Sequence, residues 1–235
     1  MDKSLSSLSE AVSHITDGMT VMIGGFGGSG APIELIHALI DHGAKGLTVI
    51  NNNAGNGHVG LAALIEQGQV DKMICSFPRS ADPRVFTELY LAKKIELEVV
   101  PQGTLAERIR AGGAGIPAFF TPASFGTDLA VGKPTEDFDG KTYVRENWLR
   151  ADVALIKAEL GDIHGNLTYR MAARNFNPLM AMAAEKSFVQ VRQIVKLGDI
   201  DPEHVVTPGI FIQGLIEVPN AAQEEILNQE GAVYP

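Results

Sequence analysis

The sequence predicts an α/β protein built on an open, mostly parallel β-sheet with flanking helices. Short apolar, β-rich runs alternate with helical segments of about ten residues in the first half of the chain, a pattern typical of βαβ units. The turn Asp139-Gly140, between Phe138 and Tyr143, indicates a hairpin and predicts a small antiparallel excursion near residues 118–146. Because no linker or repeat interrupts the 235 residues, we expect a single domain over residues 1–235.

Hydrophobic spacing and turn residues define the expected elements. Strands are predicted at residues 20–23, 47–50, 72–75, 95–100, 153–158, 190–195 and 205–207. Helices are predicted from a capping box at Ser7 to near Gly18, and at residues 32–42, 61–67, 82–92, 104–111 and 178–185. Gly43 is expected to stop the second helix, and residues 112–117 are expected to form a loop.

Charge and cysteine content narrow the class of protein. The net charge of −9 argues against a general nucleic-acid or membrane-surface role, since both need a basic face. The single cysteine, Cys75, has no internal disulfide partner, and its apolar neighbours Met73 and Ile74 predict a place in the core. No stretch approaches the roughly 18 apolar residues of a membrane span. We therefore expect a cytoplasmic protein.

A glycine-rich turn between the first strand and the second helix is the most informative segment. Residues 25–30 fit the pattern G-x-G-x-x-G. Glycines let backbone N–H groups approach a ligand closely, and the start of the following helix favours negative charge. The turn is a candidate site for a phosphate, a carboxylate or an oxyanion, and its residues are Gly24, Gly25, Phe26, Gly27, Gly28, Ser29 and Gly30.

Two nucleotide-binding motifs are excluded for this turn. A nicotinamide cofactor needs an acidic residue after the next strand, where this chain has Asn51, Asn52 and Asn53. A P-loop needs Gly-Lys-Ser/Thr, which the run lacks. A tight turn that binds no ligand stays open as an alternative.

Neutral amide side chains follow two other predicted strands. In a doubly wound sheet the carboxyl ends of the strands share one edge, so residues 24–30, 51–57 and 102–104 should converge there. Asn52, Asn53 and Gln102 would then supply NH₂ donors able to stabilise a developing oxyanion. The alternatives are ordinary turn chemistry for the asparagines and a solvated loop for Gln102.

No convincing nucleophile or metal site accompanies these donors. The chain has no Ser-His-Asp order that spacing supports and no nucleophile elbow. His37 and His42 lie five apart, and His164 lies in a turn without Cys or His neighbours, so metal-ligand spacing is absent. We expect the six histidines at the surface or in turns.

Four segments resemble the signatures of the family I CoA-transferases. They are residues 24–36, 52–55, 101–119, and 165–167 with 174–176, and the resemblance extends over residues 8–215. It implies an A, or alpha, subunit with the open α/β sheet of ribose-5-phosphate isomerase-like proteins. It also implies that the nucleophile is a glutamate of a partner B subunit, in a heterodimer or a dimer of such pairs. Coenzyme A would be a substrate of a ping-pong reaction, and no cofactor would be permanently bound.

The resemblance also assigns roles by position. The glycine turn at residues 24–30 would contact CoA. Gln102 would donate a hydrogen bond to the oxyanion of the tetrahedral intermediate, and Asn52 and Asn53 would line the same pocket.

The substrate is implied less directly. Residues 75–79 and 95–100 look most like the members that transfer CoA from succinyl-CoA to 3-oxoadipate, whereas members acting on acetoacetate share most motifs. Ile163-His164 replaces a usual Arg-Trp pair, and Gly28-Ser29 replaces a usual Thr-Ala. If the missing arginine held a dicarboxylate, a monocarboxylic 3-oxoacid becomes the alternative. Arg79 is a candidate for the distal carboxylate, and a solvated turn arginine is its other interpretation.

Two hypotheses from other classes stay open. One is a stand-alone hydrolase or isomerase using its own carboxylate, such as Glu107, which we expect instead to pair with Arg110 on the surface. The other is a non-catalytic module that binds CoA or a nucleotide.

Overall fold

The computed structural model describes all 235 residues and contains two β-sheets. In chain order the strands are β1 Thr20–Ile23, β2 Leu47–Ile50, β3 Val70–Cys75, β4 Glu96–Val99, β5 Ala118–Thr121, β6 Thr135–Phe138, β7 Lys141–Asn147, β8 Ala151–Asp162, β9 Leu167–Thr168, β10 Ala184–Val195 and β11 Gly214–Glu217. The helices are α1 Leu8–Val12, α2 Ile33–His42, α3 Gly60–Glu66, α4 Arg84–Leu91, α5 Gln102–Ala114, α6 Asn177–Ala183 and α7 Glu224–Gln229.

The main sheet has the order β11-β10-β8-β1-β2-β3-β4, and all of these neighbours pair in parallel. Short β9 adds an antiparallel pairing to β8. From β1 the chain first builds outward through β2 to β4, and β8 later returns to the opposite side of β1. The boundary between β1 and β8 is therefore a topological switch point, where ligands bind in open α/β sheets. The predicted fold class is confirmed.

Two apolar cores cover the two faces of this sheet. Successive strand residues point to opposite faces, so Val21 and Ile23 join one core while Met22 joins the other. The first core is closed by α1 to α4, and its helical contacts include Leu35, Leu39 and the buried face of α3. The second core is closed by α5 and α6. None of the helices combines the length and apolar character needed to cross a membrane.

The predicted helix signals are borne out at two termini. The hydroxyl of Ser7 accepts a hydrogen bond from the Glu10 amide at 3.2 Å and caps α1. Gly43 ends α2 in the left-handed conformation, with φ at 84°. The first helix is nevertheless shorter than predicted, because it ends at Val12 and not near Gly18. Ser13 ends it by donating its hydroxyl to the Glu10 carbonyl at 2.8 Å.

Two other predicted boundaries are wrong. Residues 205–207 form no strand, because their partner β9 is only two residues long and Thr207 makes a single bridge to Leu167. Residues 112–114 are not a loop but the last turn of α5, which extends to Ala114. Gly112 packs against the backbone of Leu149, and Gly113 packs against Met182. Glycine is unfavourable in a helix, but at these two positions only glycine allows such close contacts.

The antiparallel excursion has the predicted form. Strands β5, β7 and β6 make a separate three-stranded sheet, and Asp139-Gly140 turns between β6 and β7 with positive φ at both residues. The rings of Phe138 and Tyr143 meet edge to face with centroids 5.3 Å apart.

We expect Gly112→Ala to destabilise the protein by about 1–3 kcal/mol, since the added Cβ would overlap the carbonyl oxygen of Leu149. Gly103→Ala is the matched control, because a Cβ there meets nothing within 4 Å and alanine favours the helix. Urea denaturation of the purified proteins measures both. A Gly112→Ala midpoint at or above that of the control would contradict the close packing of α5.

Candidate functional site

A cavity of about 1190 Å³ opens at the carboxyl edge of the main sheet. The strand registers align Gln190 with Lys157 and Asn53 with Phe77, and β1 lies between these two pairs in the sheet. Asn53 and Phe77 lie just beyond the ends of β2 and β3, whereas Lys157 and Gln190 lie within the longer strands β8 and β10. The cavity that these residues line crosses the switch point between β1 and β8. The three segments that the sequence predicted to converge, represented by residues 26–30, 52–53 and 102, all line the cavity.

The glycine turn forms a miniature hairpin. Phe26 and Ser29 exchange two backbone hydrogen bonds, at 3.0 and 3.2 Å, so Gly27 and Gly28 occupy the tip. Gly27 has φ at 56°, a conformation that glycine adopts without strain. The amides of Gly27 and Gly28 donate no hydrogen bond within the chain and lie on the cavity wall. They are available to an anionic or carbonyl ligand.

Not every residue of the turn faces the cavity. Gly24 and Gly25 are buried beneath it and are not among its lining residues. A Cβ at Gly24 would overlap the side-chain oxygen of Asn177, and a Cβ at Gly25 would lie 3.2 Å from the backbone of Ala31. These two glycines therefore permit close packing. Residues 26–29 are exposed and, together with the buried Gly30, line the cavity.

The three asparagines after β2 have different roles. Asn51 is structural, since its amide donates to the Ile23 carbonyl at 2.7 Å and its oxygen accepts from the Asn53 amide at 2.8 Å. Asn53 closes its own turn by accepting from the Gly55 amide at 2.8 Å. Asn52 makes no side-chain hydrogen bond although it is only 4% exposed. The atom buried without a partner is the side-chain oxygen, an acceptor, while the NH₂ group is a donor that makes no hydrogen bond on the cavity wall.

Gln102 is the first residue of α5 and lines the same cavity, in place of the turn that the sequence predicted. Its side chain is exposed and makes no hydrogen bond in the chain, and the first amides of a helix are unsatisfied. The hydroxyls of Ser76 and Thr104 are also buried without partners. The edge of the sheet thus presents several neutral polar groups whose hydrogen-bonding capacity is unused.

Charged side chains that the sequence did not single out also line the cavity. Arg192 pairs with Glu159 at 2.5 Å across β10 and β8, whereas Lys157 and Arg170 have no ion-pair partner. Burial lowers the pKa of the Lys157 ammonium, and the carboxylates of Glu34 and Glu159 partly oppose that shift. The sequence did offer a signal for Lys157, because a lysine near the end of the apolar run 153–158 is unusual for a buried strand.

Glu224 contributes a buried carboxyl group to the cavity wall. It is 7% exposed, has no hydrogen-bond or ion-pair partner, and lies between Gly28 and Gly60. Burial raises its pKa to about 7, so the group is partly protonated at neutral pH. No sequence pattern pointed to it, because the tail after residue 220 carries no motif.

Several sequence candidates lie outside the cavity. Arg79 does not line the cavity but lines an adjoining depression, which shares Ser80 and Ala81 with it. Ile163 and His164 lie in a turn that does not reach the cavity. The expected surface pairing of Glu107 with Arg110 is confirmed at 2.7 Å.

Cys75 is a core residue, as predicted. Its thiol is fully buried and unpaired, and burial raises its pKa to about 12. The thiol is therefore protonated and unreactive at neutral pH.

The chain belongs to the coenzyme A transferase family, whose model matches residues 5–218. Among curated relatives, it is 59% identical over 226 residues to the A subunit of 3-oxoadipate CoA-transferase from Pseudomonas putida, covering 96% of this chain and 98% of that protein. The same-named protein of Acinetobacter baylyi is 60% identical over 218 residues, with 93% and 96% covered. The A subunit of succinyl-CoA:3-ketoacid coenzyme A transferase from Xanthomonas campestris is 52% identical, with 92% and 87% covered.

Solved structures share the fold. A variant of the decarboxylase AibA/AibB superposes with a TM-score of 0.81 at 23% identity, covering 98% of this chain and 93% of that chain. Glutaconate coenzyme A-transferase of Acidaminococcus fermentans gives 0.79 at 19% identity, with 92% and 76% covered. An acyl-CoA transferase of Escherichia coli O157:H7 gives 0.80 at 23% identity, and the match covers 94% of this chain but only 48% of that longer chain.

We expect Glu224→Gln to stabilise the protein selectively at alkaline pH. Between the ordinary value of 4.5 and about 7, the folded chain keeps a proton that the unfolded chain releases, so stability falls as pH rises. The loss amounts to about 3 kcal/mol, and glutamine, of similar shape but not titratable, avoids it.

Thermal unfolding at pH 5 and pH 8 checks this expectation. The melting temperature of Glu224→Gln should exceed that of the wild type at pH 8 and match it near pH 5. Glu225→Gln, on the exposed neighbour, is the control and should show no such pH dependence. The same difference at both pH values would contradict the assignment.

Proposed function

We propose that this chain is the A subunit of a CoA-transferase that moves CoA from succinyl-CoA to 3-oxoadipate, with a B subunit supplying a glutamate nucleophile. The observation that carries the proposal is the composition of the cavity. It combines free neutral donors, on Asn52, Gln102 and the glycine turn, with no carboxylate or hydroxyl arranged beside a base as a nucleophile. Such a wall suits a transition state whose attacking group comes from another chain.

The proposed chemistry divides between the two subunits. The B-subunit carboxylate attacks the acyl-CoA thioester, and the carbonyl oxygen becomes an oxyanion that Gln102 can stabilise by donating its amide. Collapse of this intermediate expels the CoA thiolate and leaves an acyl-glutamyl anhydride. The thiolate then attacks the glutamyl carbonyl, which forms a glutamyl-CoA thioester and releases the first acid as its carboxylate. The second carboxylate attacks this thioester, and the same two steps in reverse order transfer CoA to it and restore the free glutamate. Asn52 and Asn53 line the pocket around the reacting carbonyl, and residues 26–30 contact CoA.

The preference for 3-oxoadipate rests on the two relatives that carry that name at 59% and 60% identity. The departures at Ile163 and His164 do not argue against a dicarboxylate, because that turn does not line the cavity. Acetoacetate or another short-chain 3-oxoacid is the second candidate, and it is favoured by the 52% identical relative named for 3-ketoacids. The unpaired Cys75 is compatible with the reducing cytoplasm that we propose as the location.

The stand-alone enzyme of the other class would need a nucleophile within this chain. Glu107 is committed to Arg110 on the surface. Glu224 has a buried, unpaired carboxyl group in the cavity. Because its pKa is about 7, this group is largely protonated below pH 7 and is a poor nucleophile. A binding module without catalysis could use the donors of Asn52 and Gln102 to hold its ligand, so the activity of the assembled pair is what distinguishes it.

Activity should require both subunits. We expect the purified chain alone to show no CoA transfer from succinyl-CoA to 3-oxoadipate or acetoacetate, and the complex with the B subunit to show it. Thioester absorbance and product chromatography measure both acceptors. Transfer by the lone chain that disappears in Glu224→Gln would identify a stand-alone enzyme, and an inactive but assembled pair would favour the binding module.

We expect Gln102→Ala to lower kcat about 100- to 1000-fold in the assembled pair, because one oxyanion donor is lost, while the affinity for CoA changes little. Gln67→Ala is the matched control, since Gln67 is exposed at the end of α3 and lies outside the cavity. Steady-state kinetics and CoA titration separate the two effects. Similar kcat values for both variants would remove Gln102 from the proposed oxyanion site.

A further inference from the structure

Lys157 is a cation in the cavity without a counterion. It lies in the middle of β8, is only partly accessible, and makes neither an ion pair nor a side-chain hydrogen bond. Its nearest acids are already engaged. Glu34 accepts hydrogen bonds from the Gln190 amide and the Ala222 backbone, and Glu159 pairs with Arg192. A partly desolvated ammonium with no partner is unfavourable until an anion reaches it.

The backbone around Lys157 holds it in one place. Its amide donates to the side-chain oxygen of Asn177 at 3.0 Å, and Asn177 itself is fully buried beneath the glycine turn. Flanking residues of β8 pair with both β1 and β10, so this strand is interior to the sheet. The base of the side chain is therefore fixed, and an anion meets a positioned charge.

The strand registers give the position of this charge relative to the proposed reaction centre. Lys157 of β8 and Asn53, which follows β2, both line the cavity, and their strands flank β1 on opposite sides, two strand spacings or about 10 Å apart. A small acid with its reacting carboxyl group near Asn52 and Asn53 would extend across the glycine turn toward Lys157. The second charge of a dicarboxylate, absent from a monocarboxylate, would then meet the ammonium.

We propose that Lys157 is a specificity-determining residue that binds the distal carboxylate of a dicarboxylic acyl group. The inference rests on the proposed function and deepens it. Because the same B-subunit glutamate reacts in both proposed half-reactions, the donor and acceptor acyl groups occupy one pocket, and one cation serves both the succinyl group and 3-oxoadipate. Arg79, the sequence candidate for this role, is outside the cavity, and Arg170 is an exposed residue of its rim.

The test compares acceptors in the assembled A–B complex. We measure kcat/KM for 3-oxoadipate and for acetoacetate with wild type, Lys157→Met, Lys157→Arg and Arg79→Gln, using succinyl-CoA as donor. In a ping-pong reaction the acceptor kcat/KM reports only the second half-reaction. Lys157→Met should lower the value for 3-oxoadipate about 10- to 100-fold and the value for acetoacetate less than about threefold. Lys157→Arg should restore most of the preference for 3-oxoadipate over acetoacetate, and Arg79→Gln should leave that preference unchanged.

Equal losses for both acceptors would overturn the inference, since Lys157 would then contact a group common to both reactions, such as a CoA phosphate. No loss, or a selective loss in Arg79→Gln, would overturn it as well. Succinate, with acetoacetyl-CoA as donor, is a second dicarboxylic acceptor if 3-oxoadipate is not used. Lys157→Gln replaces the methionine variant if the latter fails to assemble. A wild-type complex that transfers CoA to none of these acids contradicts the proposed function itself.

Discussion

The buried side chain of Asn177 is the interaction on which the site depends. Its amide donates to the carbonyls of Gly30 and Ala173, at 3.1 and 2.8 Å, and its oxygen accepts from the Lys157 amide at 3.0 Å. One fully buried residue thus ties the glycine turn to β8 across the switch point. Because Gly24 has no Cβ, the turn can lie directly over this amide. Loss of either partner would leave buried polar groups unsatisfied.

That constraint explains why the edge of the sheet can keep unused polar groups. Asn52, Ser76 and Thr104 hold buried atoms without partners, which lowers stability unless a ligand or another chain completes the hydrogen bonds. The two apolar cores, of 26 and 21 buried residues, stabilise the sheet enough to support such a cost. An edge of this kind resembles one wall of an active site shared between two chains more closely than a complete active site within one chain.

The glycine turn has the G-x-G-x-x-G pattern of a dinucleotide site but a different backbone conformation. In a dinucleotide site the turn leads the backbone into a helix N-terminus beside the phosphates. Here Phe26 and Ser29 pair with each other, so the tip of a hairpin presents the amides of Gly27 and Gly28 to the cavity. The helix begins only at Ile33, after Pro32, and neither of these residues lines the cavity.

The sequence by itself determined the α/β class, the glycine turn, the hairpin at Asp139-Gly140 and the core position of Cys75, because each depends on local periodicity or turn chemistry. It also brought Asn52, Asn53 and Gln102 together, since parallel strands share a carboxyl edge. Tertiary structure alone decided that Arg79 lies outside the cavity and that Lys157 and Glu224 line it. Those placements depend on strand order and on how the C-terminal segment packs beside Gly28 and Gly60. Contacts between residues far apart in sequence leave no local pattern from which they could be predicted.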